Sequence, residues 1–369
     1  RSRGLGDVYK RQIMFNLNGV LGPCKNINGK INKLNPTTII GEVENSPTIR
    51  RPKPIRIFFV AELSSPINDI KIDETTGNYM LLLDDTSSEI YMKIAISYTS
   101  VDNASNNMKE ELSGWNFKQI INESFDEWNS MLSRIEVKGG TYKERRRFYT
   151  DLWHSLQGRR MINDCNGAYP DNTGNNFRIG QIPLSDSGKP IHNHYNSDAF
   201  WGAQFSLNTL WGLVYPDVYE DFVHSLLLYY KDGGIVPRGP SGGNYTYVMT
   251  GATSTPFIVS AVQKGIFNDN LEYVYAAIRE NHLPGGIMEK AGYEHKSNTG
   301  GGLKYYMSLG YVPYPNPEPS NAFHQEGAGL TMEYSYQDYA LSQMALRLDH
   351  ENDYIYFYNR SMNYKNLYD

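Results

Sequence analysis

A chain of 369 residues, 40% hydrophobic and 20% charged, can bury a large core and has the length of about two domains. Its net charge of −5 provides no broad basic field, which argues against nucleic acid or an anionic membrane surface as a partner. The sequence contains no apolar run of about 18 residues that would read as a transmembrane helix.

The first segment, residues 1–12 (RSRGLGDVYKRQ), is basic and lacks apolar periodicity; it reads as a non-native adaptor or a disordered terminus and is set aside from the fold. Residues 13–103 are assigned to a partial β-sandwich. Runs of period two occupy residues 55–63, 79–85 and 89–97, separated by turn residues at 75–77 and 86–88, the pattern of antiparallel strands. In the last run Ile90, Met92, Ile94 and Ile96 share one face, and Tyr91, Lys93 and Ala95 the other.

The period then becomes helical. Met108, Leu112, Phe117, Ile120, Ile121, Phe125, Trp128, Leu132 and Ile135 recur at three- and four-residue steps, broken at Ser113-Gly114, so residues 104–140 read as a helical linker. Residues 141–369 read as mainly helical. Pro216 opens one helix, whose apolar face comprises Val218, Phe222, Val223, Leu226, Leu227 and Tyr230 and which Gly233-Gly234 stop. Further helices are predicted over 256–264, 270–281, 335–348 and 353–363. Helices joined by loops rich in Gly, Pro, Asn and Tyr predict a toroid of helical hairpins, with a simple bundle as the alternative.

Tyrosine is over-used, 29 of 369 residues. Rings with one polar edge suit a sugar, whose pyranose has an apolar face and a rim of hydroxyls, although the same residues also pack in half-buried cores. Glycoside hydrolysis needs two carboxyl groups, and a carboxylate set among rings and small residues suits that chemistry. Glu333, in GLTMEYSYQDY, follows Gly327-Ala328-Gly329 and precedes Tyr334, Tyr336 and Tyr339, at the expected mouth of a helix. A partly dry pocket would raise its pKa, whereas the helix N-terminus would favour the anion.

Glu326 and His324 could hold sugar hydroxyls. Arg238, amid the glycines and prolines of GGIVPRGPSGGNYT, offers a planar donor fork to a ligand, or else tightens a structural turn. In IHNHYNSDAFWGAQF, Asp198 and Trp201 suit a sugar platform, while the two-residue spacing of His192 and His194 places them on one face of a strand, with a metal pair the less favoured reading. Cys24 and Cys165, the only cysteines, lie in no Cys-x-x-Cys or Cys/His cluster, which argues against zinc; they read as one bridge or two buried thiols.

Taken in order, ISYTSVDNASNN, WNSMLSRIEVKGG, FYTDLWHSL, YYKDGGIVPRGPSGGN, GGLKYYMSLGYVP, TMEYSYQDYALSQMA and YIYFYNRSMNYKNLYD resemble glycoside hydrolase family 92 over residues 55–369. The resemblance implies a β-sandwich, a helical linker and an (α/α)6 barrel, acting as a calcium-dependent, inverting exo-α-mannosidase on mannose-containing oligosaccharides such as N-glycans or mannans. It places Glu333 at the general acid, Arg238 at the arginine of the Gly-rich loop and Glu326 at an acidic residue preceding the acid. It also implies a secreted, periplasmic or cell-surface bacterial protein.

Two departures stand out. Trp201-Gly202-Ala203 replaces a Trp-Asp-Thr of many relatives, which removes an acidic sugar contact or moves it to Asp198. The base and most calcium ligands are implied to lie downstream of NYKNLYD, so no metal ligand is assigned. Both ends of the chain read as cuts, and the chain by itself is expected to be an inactive fragment. The alternatives are a non-catalytic glycan-binding protein and another (α/α)6 glycosidase.

Overall fold

The computed structural model describes residues 11–83, 89–158, 160–196, 202–290, 300–317 and 325–368. Its first part is β-rich. The strands are β1 (Arg11–Phe15), β2 (Val20–Leu21), β3 (Cys24–Lys33), β4 (Thr38–Asn45), β5 (Ile55–Leu63), β6 (Ile67–Ile72), β7 (Tyr79–Leu83) and β8 (Met92–Ser97). They form a five-stranded sheet ordered β2-β3-β4-β5-β8 and a three-stranded sheet ordered β1-β7-β6, every pairing antiparallel.

The alternation of apolar residues decides how the sheets meet. Ile39, Val43, Phe59, Ala61 and Leu63 of the larger sheet share one buried cluster with Ile67, Leu81 and Leu83 of the smaller, and Phe15 stacks on Phe59 at 5.8 Å. Gly41 lies opposite Phe59, where a Cβ would come within 2.3 Å of the ring; a larger residue would displace it. Strand β1 corrects the sequence reading at one point: Arg11 and Gln12, set aside with the terminus, pair with Leu83 and Leu82. Backbone pairing extends the sheet edge even where polar residues lead the strand.

On the outer face of the large sheet, α1 (Val101–Glu111) packs Ala104 and Met108 against Val60 and Ala95. Ser100 caps it, accepting from the Asn103 amide. After the break at Ser113-Gly114, α2 (Phe117–Leu132) buries part of Trp128, Met131 and Leu132 against the helical core, while Phe117, Ile121 and Phe125 of the same predicted stripe stay exposed. Helix α3 (Tyr142–Ser155) opens with a reciprocal capping box between Thr141 and Glu144.

A hairpin interrupts the helical half: β9 (Ala168–Asp171) and β10 (Arg178–Gln181) pair antiparallel, a feature not read from the sequence. Then come α4 (Leu207–Val214), α5 (Pro216–Gly233), α6 (Ser254–Gln263), α7 (Leu271–Glu280), α8 (Leu303–Leu309), α9 (Gly327–Arg347) and α10 (Glu351–Ser361). Pro216 occupies the first turn of α5 and Gly234 closes it with a left-handed φ of 77°.

Helix α6 is apolar or small all round, and eight of its ten residues are buried, as an interior helix requires. Phe257 at its centre meets Trp211 of α4 and Tyr219 and Phe222 of α5; Leu341 and Met344 of α9 complete the cluster. Much of the tyrosine excess belongs to the protein interior rather than to a cleft: Tyr169, Tyr215, Tyr219, Tyr229, Tyr306 and Tyr334 are fully buried. The two thiols are free and half-buried, Cys24 in β3 and Cys165 ahead of β9. Among the described residues no helix is long and apolar enough to cross a membrane.

Candidate active site

Helix α9 begins eight residues earlier than the sequence pattern predicts, at Gly327 rather than Ser335. Gly327-Ala328-Gly329 reads as a loop by propensity, yet Gly327 starts the helix, packed so closely that a Cβ there would stand 2.4 Å from the carbonyl oxygen of Val312 and 2.8 Å from that of Pro313. The glycine serves close backbone approach. Glu333 therefore sits nearly two turns inside α9 and not at its mouth, out of reach of the unpaired N–H groups that were expected to favour its anion.

The Glu333 carboxyl is held on both oxygens. Gln337, one turn on, donates through Nε2 to Oε1 at 2.9 Å, and the Thr250 hydroxyl lies 3.4 Å from Oε2. Gln337 is fully buried and its own Oε1 accepts the Ala252 amide at 2.6 Å. Sequence reasoning missed Gln337; the available signal was an amide four residues after a carboxylate, the spacing at which helical side chains meet.

Glu333 and Thr250 line a cleft of about 840 Å³ together with Glu326, Met249, Phe205 and Tyr336. Of the three tyrosines expected to crowd the acid, only Tyr336 lines this cleft. Tyr334 is turned into the core, donating to the Gly301 carbonyl at 2.6 Å, and Tyr339 faces Tyr358. Glu326 is exposed at the N-cap of α9, seven residues from Glu333, and thus about 10 Å away along the helix axis. One carboxyl is fixed in the wall and the other stands at the rim, with room between them for a ring the size of a sugar.

Arg238 is placed differently from its expected role. It is 3% exposed, and all five of its N–H donors go to backbone carbonyls: Nε to Val248 at 2.8 Å, Nη1 to Gly251 at 2.7 Å and Ile287 at 2.9 Å, Nη2 to Tyr247 at 3.1 Å and to Lys290. The fork holds protein rather than offering itself to a ligand. What it holds is the segment carrying Met249 and Thr250 into the cleft, where Tyr247 and Met249 adopt left-handed φ values of 51° and 68° that side chains other than glycine seldom accept.

His192 and His194 do not lie in a strand. His192 stacks on His224 at 4.7 Å, and His194 is buried between Tyr169 and Tyr229 beside the Ser225 hydroxyl at 3.0 Å. Asp198, Trp201 and His324 lie outside the described residues. Calcium takes 6–8 oxygen ligands, and among the described residues no three Asp, Glu, His or Cys side chains gather to hold a metal. The two carboxylates of the cleft do not make such a set.

Comparison with known proteins bears on this arrangement. The model of the glycosyl hydrolase family 92 catalytic domain matches residues 103–369. A family GH92 α-mannosidase from Bacteroides thetaiotaomicron is similar in structure, with a TM-score of 0.80 at 22% identity over 98% of this chain and 47% of its own. An inverting mannosidase of the same family and organism gives 0.76 at 23% identity, over 92% of this chain and 45% of its own. The former protein in complex with mannoimidazole gives 0.77 at 21% identity, over 99% and 48%. The chain thus spans about half the length of the solved structures it matches. No curated protein matches it significantly.

Proposed function

The chain belongs to glycosyl hydrolase family 92, and we propose that the protein carrying it is an inverting, exo-acting α-mannosidase that removes mannose from α-mannosides of N-glycans or mannans. The observation that carries this reading is the seat of Glu333: a carboxyl anchored on a helix packed into the core, its two oxygens in different hydrogen bonds, opening on a cleft of sugar size. The similar structure solved with mannoimidazole supports a mannose-type ligand for that cleft, and the inverting mannosidase among the relatives supports the stereochemistry.

In this reading Glu333 is the general acid. It passes its proton to the glycosidic oxygen as the bond from that oxygen to the anomeric carbon breaks, and the electron pair stays with the leaving oxygen. Glu326 at the rim holds sugar hydroxyls, a role that Asp198, Trp201 and His324 share. Arg238 fixes the wall that carries Thr250. The base that activates water from the opposite face is not assigned among these residues, and calcium belongs to the reading only through the family. The helices from α3 to α10 form part of an (α/α)6 toroid, which the interior position of α6 supports. Polymeric mannosides are met outside the cytoplasm, so placement in the periplasm, at the cell surface or in the medium goes with this substrate.

Replacing the acid by its amide tests the reading. In the protein carrying this chain, Glu333→Gln should slow hydrolysis of α-linked mannobioses at least 100-fold and that of an activated aryl α-mannoside far less, because only the former leaving group needs a proton. Equal losses on both substrates would remove Glu333 from the role.

A further inference from the structure

We infer that Gln337 is a positioning residue that makes the two oxygens of Glu333 inequivalent, keeping Oε1 as acceptor and placing the transferable proton on Oε2. The inference rests on Glu333 being the acid and deepens that reading.

The Ala252 backbone N–H can only donate, and it points at Gln337 Oε1 at 2.6 Å. That fixes the amide orientation: the oxygen of Gln337 must face Ala252, so its NH₂ must face Glu333. An NH₂ group has no lone pair for an acidic hydrogen and donates better to a carbonyl than to a hydroxyl oxygen, so Oε1 of Glu333, 2.9 Å away, is favoured as the unprotonated oxygen while this bond stands. In the neutral acid the hydrogen resides on Oε2, beside the Thr250 hydroxyl at 3.4 Å, a group that can donate or accept.

The chain of contacts is rigid at each link. Gln337 is 0% exposed, Ala252 is 0% exposed, and the next residue but one begins the interior helix α6. A free carboxylic acid exchanges its hydrogen between two equivalent oxygens; here one tautomer is selected before substrate arrives. When the proton leaves Oε2 for the glycosidic oxygen, negative charge spreads onto Oε1, and the Gln337 N–H bond becomes charge-assisted and stronger. The interaction therefore favours the state after transfer more than the state before it. Of the described residues that line the cleft, Glu326 and Tyr336 are the other titratable groups.

Two substitutions separate positioning from packing. Gln337→Glu keeps an acceptor for the Ala252 amide and places a second carboxyl against Glu333; Gln337→Met removes the donor. In either case the acid loses a partner that favours its anion, so the alkaline limb of the kcat/KM profile on α-linked mannobioses should move to higher pH by about one unit in Gln337→Glu and by less in Gln337→Met. At the pH optimum kcat on mannobiose should fall about tenfold or more, with little loss on an activated aryl mannoside. An unmoved alkaline limb, or equal losses on both substrates, in the folded Gln337→Glu protein would overturn the inference. Glu333→Gln measured in parallel keeps the two questions apart: if it shows the leaving-group dependence and the Gln337 variants do not, the acid stands and its positioning by Gln337 falls, whereas equal losses in Glu333→Gln remove the acid itself.

Discussion

Arg360 of α10 and Asp338 of α9 meet through two hydrogen bonds of 2.5 Å, from Nε to Oδ2 and from Nη2 to Oδ1, with the Asp338 side chain wholly out of solvent. Tyr306 donates to the same carboxylate at 3.0 Å, and His282 lies 2.7 Å from its other oxygen. Burial alone would raise the Asp338 pKa, but Arg360 and His282 outweigh it and hold the group below its ordinary range. Removing one partner leaves a buried charge uncompensated, so Arg360→Met should cost about 3–5 kcal/mol, visible as a large drop in the denaturation midpoint. The double change Asp338→Leu with Arg360→Met should recover much of that loss; no recovery would show that the pair is not the source of the effect.

Arg238→Lys tests the clamp. An ammonium has three N–H donors and cannot reach five carbonyls on separate segments, so at least two acceptors lose their partner. Each lost bond to a charged donor costs about 1.5–3 kcal/mol at most, and the left-handed backbone at Tyr247 and Met249 loses its restraint. Hydrogen exchange at the amides of residues 247–251 should accelerate and kcat/KM should fall. Unchanged exchange there would show that the loop holds itself.

Stability should depend on pH through His194. Burial first, and then the neighbouring His192, push its pKa from 6.5 down to about 3. The folded protein keeps the ring neutral while the unfolded chain takes up a proton below pH 6.5. The contribution is therefore complete above pH 6.5 and is lost as pH falls toward 3, by about 1.4 kcal/mol per unit. Burial lowers His192 and His224 as well, which adds to the same trend. Urea denaturation across pH 4–6.5 should show a slope that His194→Gln reduces by up to one proton; an equal slope would mean that His194 is solvated in the folded state.

Gly327→Ala asks whether the close start of α9 matters to the site. A methyl group 2.4 Å from one carbonyl oxygen and 2.8 Å from another must push the helix away, at about 1–3 kcal/mol. Because Glu326 and Glu333 ride on this helix, activity should fall by more than the loss of stability accounts for. An active, slightly stabilised variant would show that the helix start can relax freely.

The sequence carried the elements whose causes are local. Pro216 and Gly234 bracket α5 through their own backbone geometry, and the alternation in residues 55–63 is visible without a partner strand. The site was legible only where a residue type was enough. Glu333 stands out by composition, but its depth inside α9 depends on carbonyls of Val312 and Pro313, and Arg238 is explained by five acceptors spread from Tyr247 to Lys290. A guanidinium in a Gly-rich loop looks the same on paper whether it will grip a ligand or its own backbone. The hairpin β9-β10 was hidden for a related reason: its four-residue strands are too short to display a period.

The bonds that build the cleft and the helical core behind it also set an order of assembly. Thr250 and Glu333 are 83 residues apart in the chain, Ala252 and Gln337 are 85 apart, and Arg360 and His282 are 78 apart. The neighbouring strands β3, β4 and β5, by contrast, join through short links. Loop-closure entropy must be overcome before distant contacts contribute, so the sheet can consolidate early while the cleft waits for α9 and α10. On a ribosome adding about 5–20 residues per second, the wall bearing Thr250 would emerge several seconds before Glu333, which faces it, and the cleft would be among the last features of this chain to close.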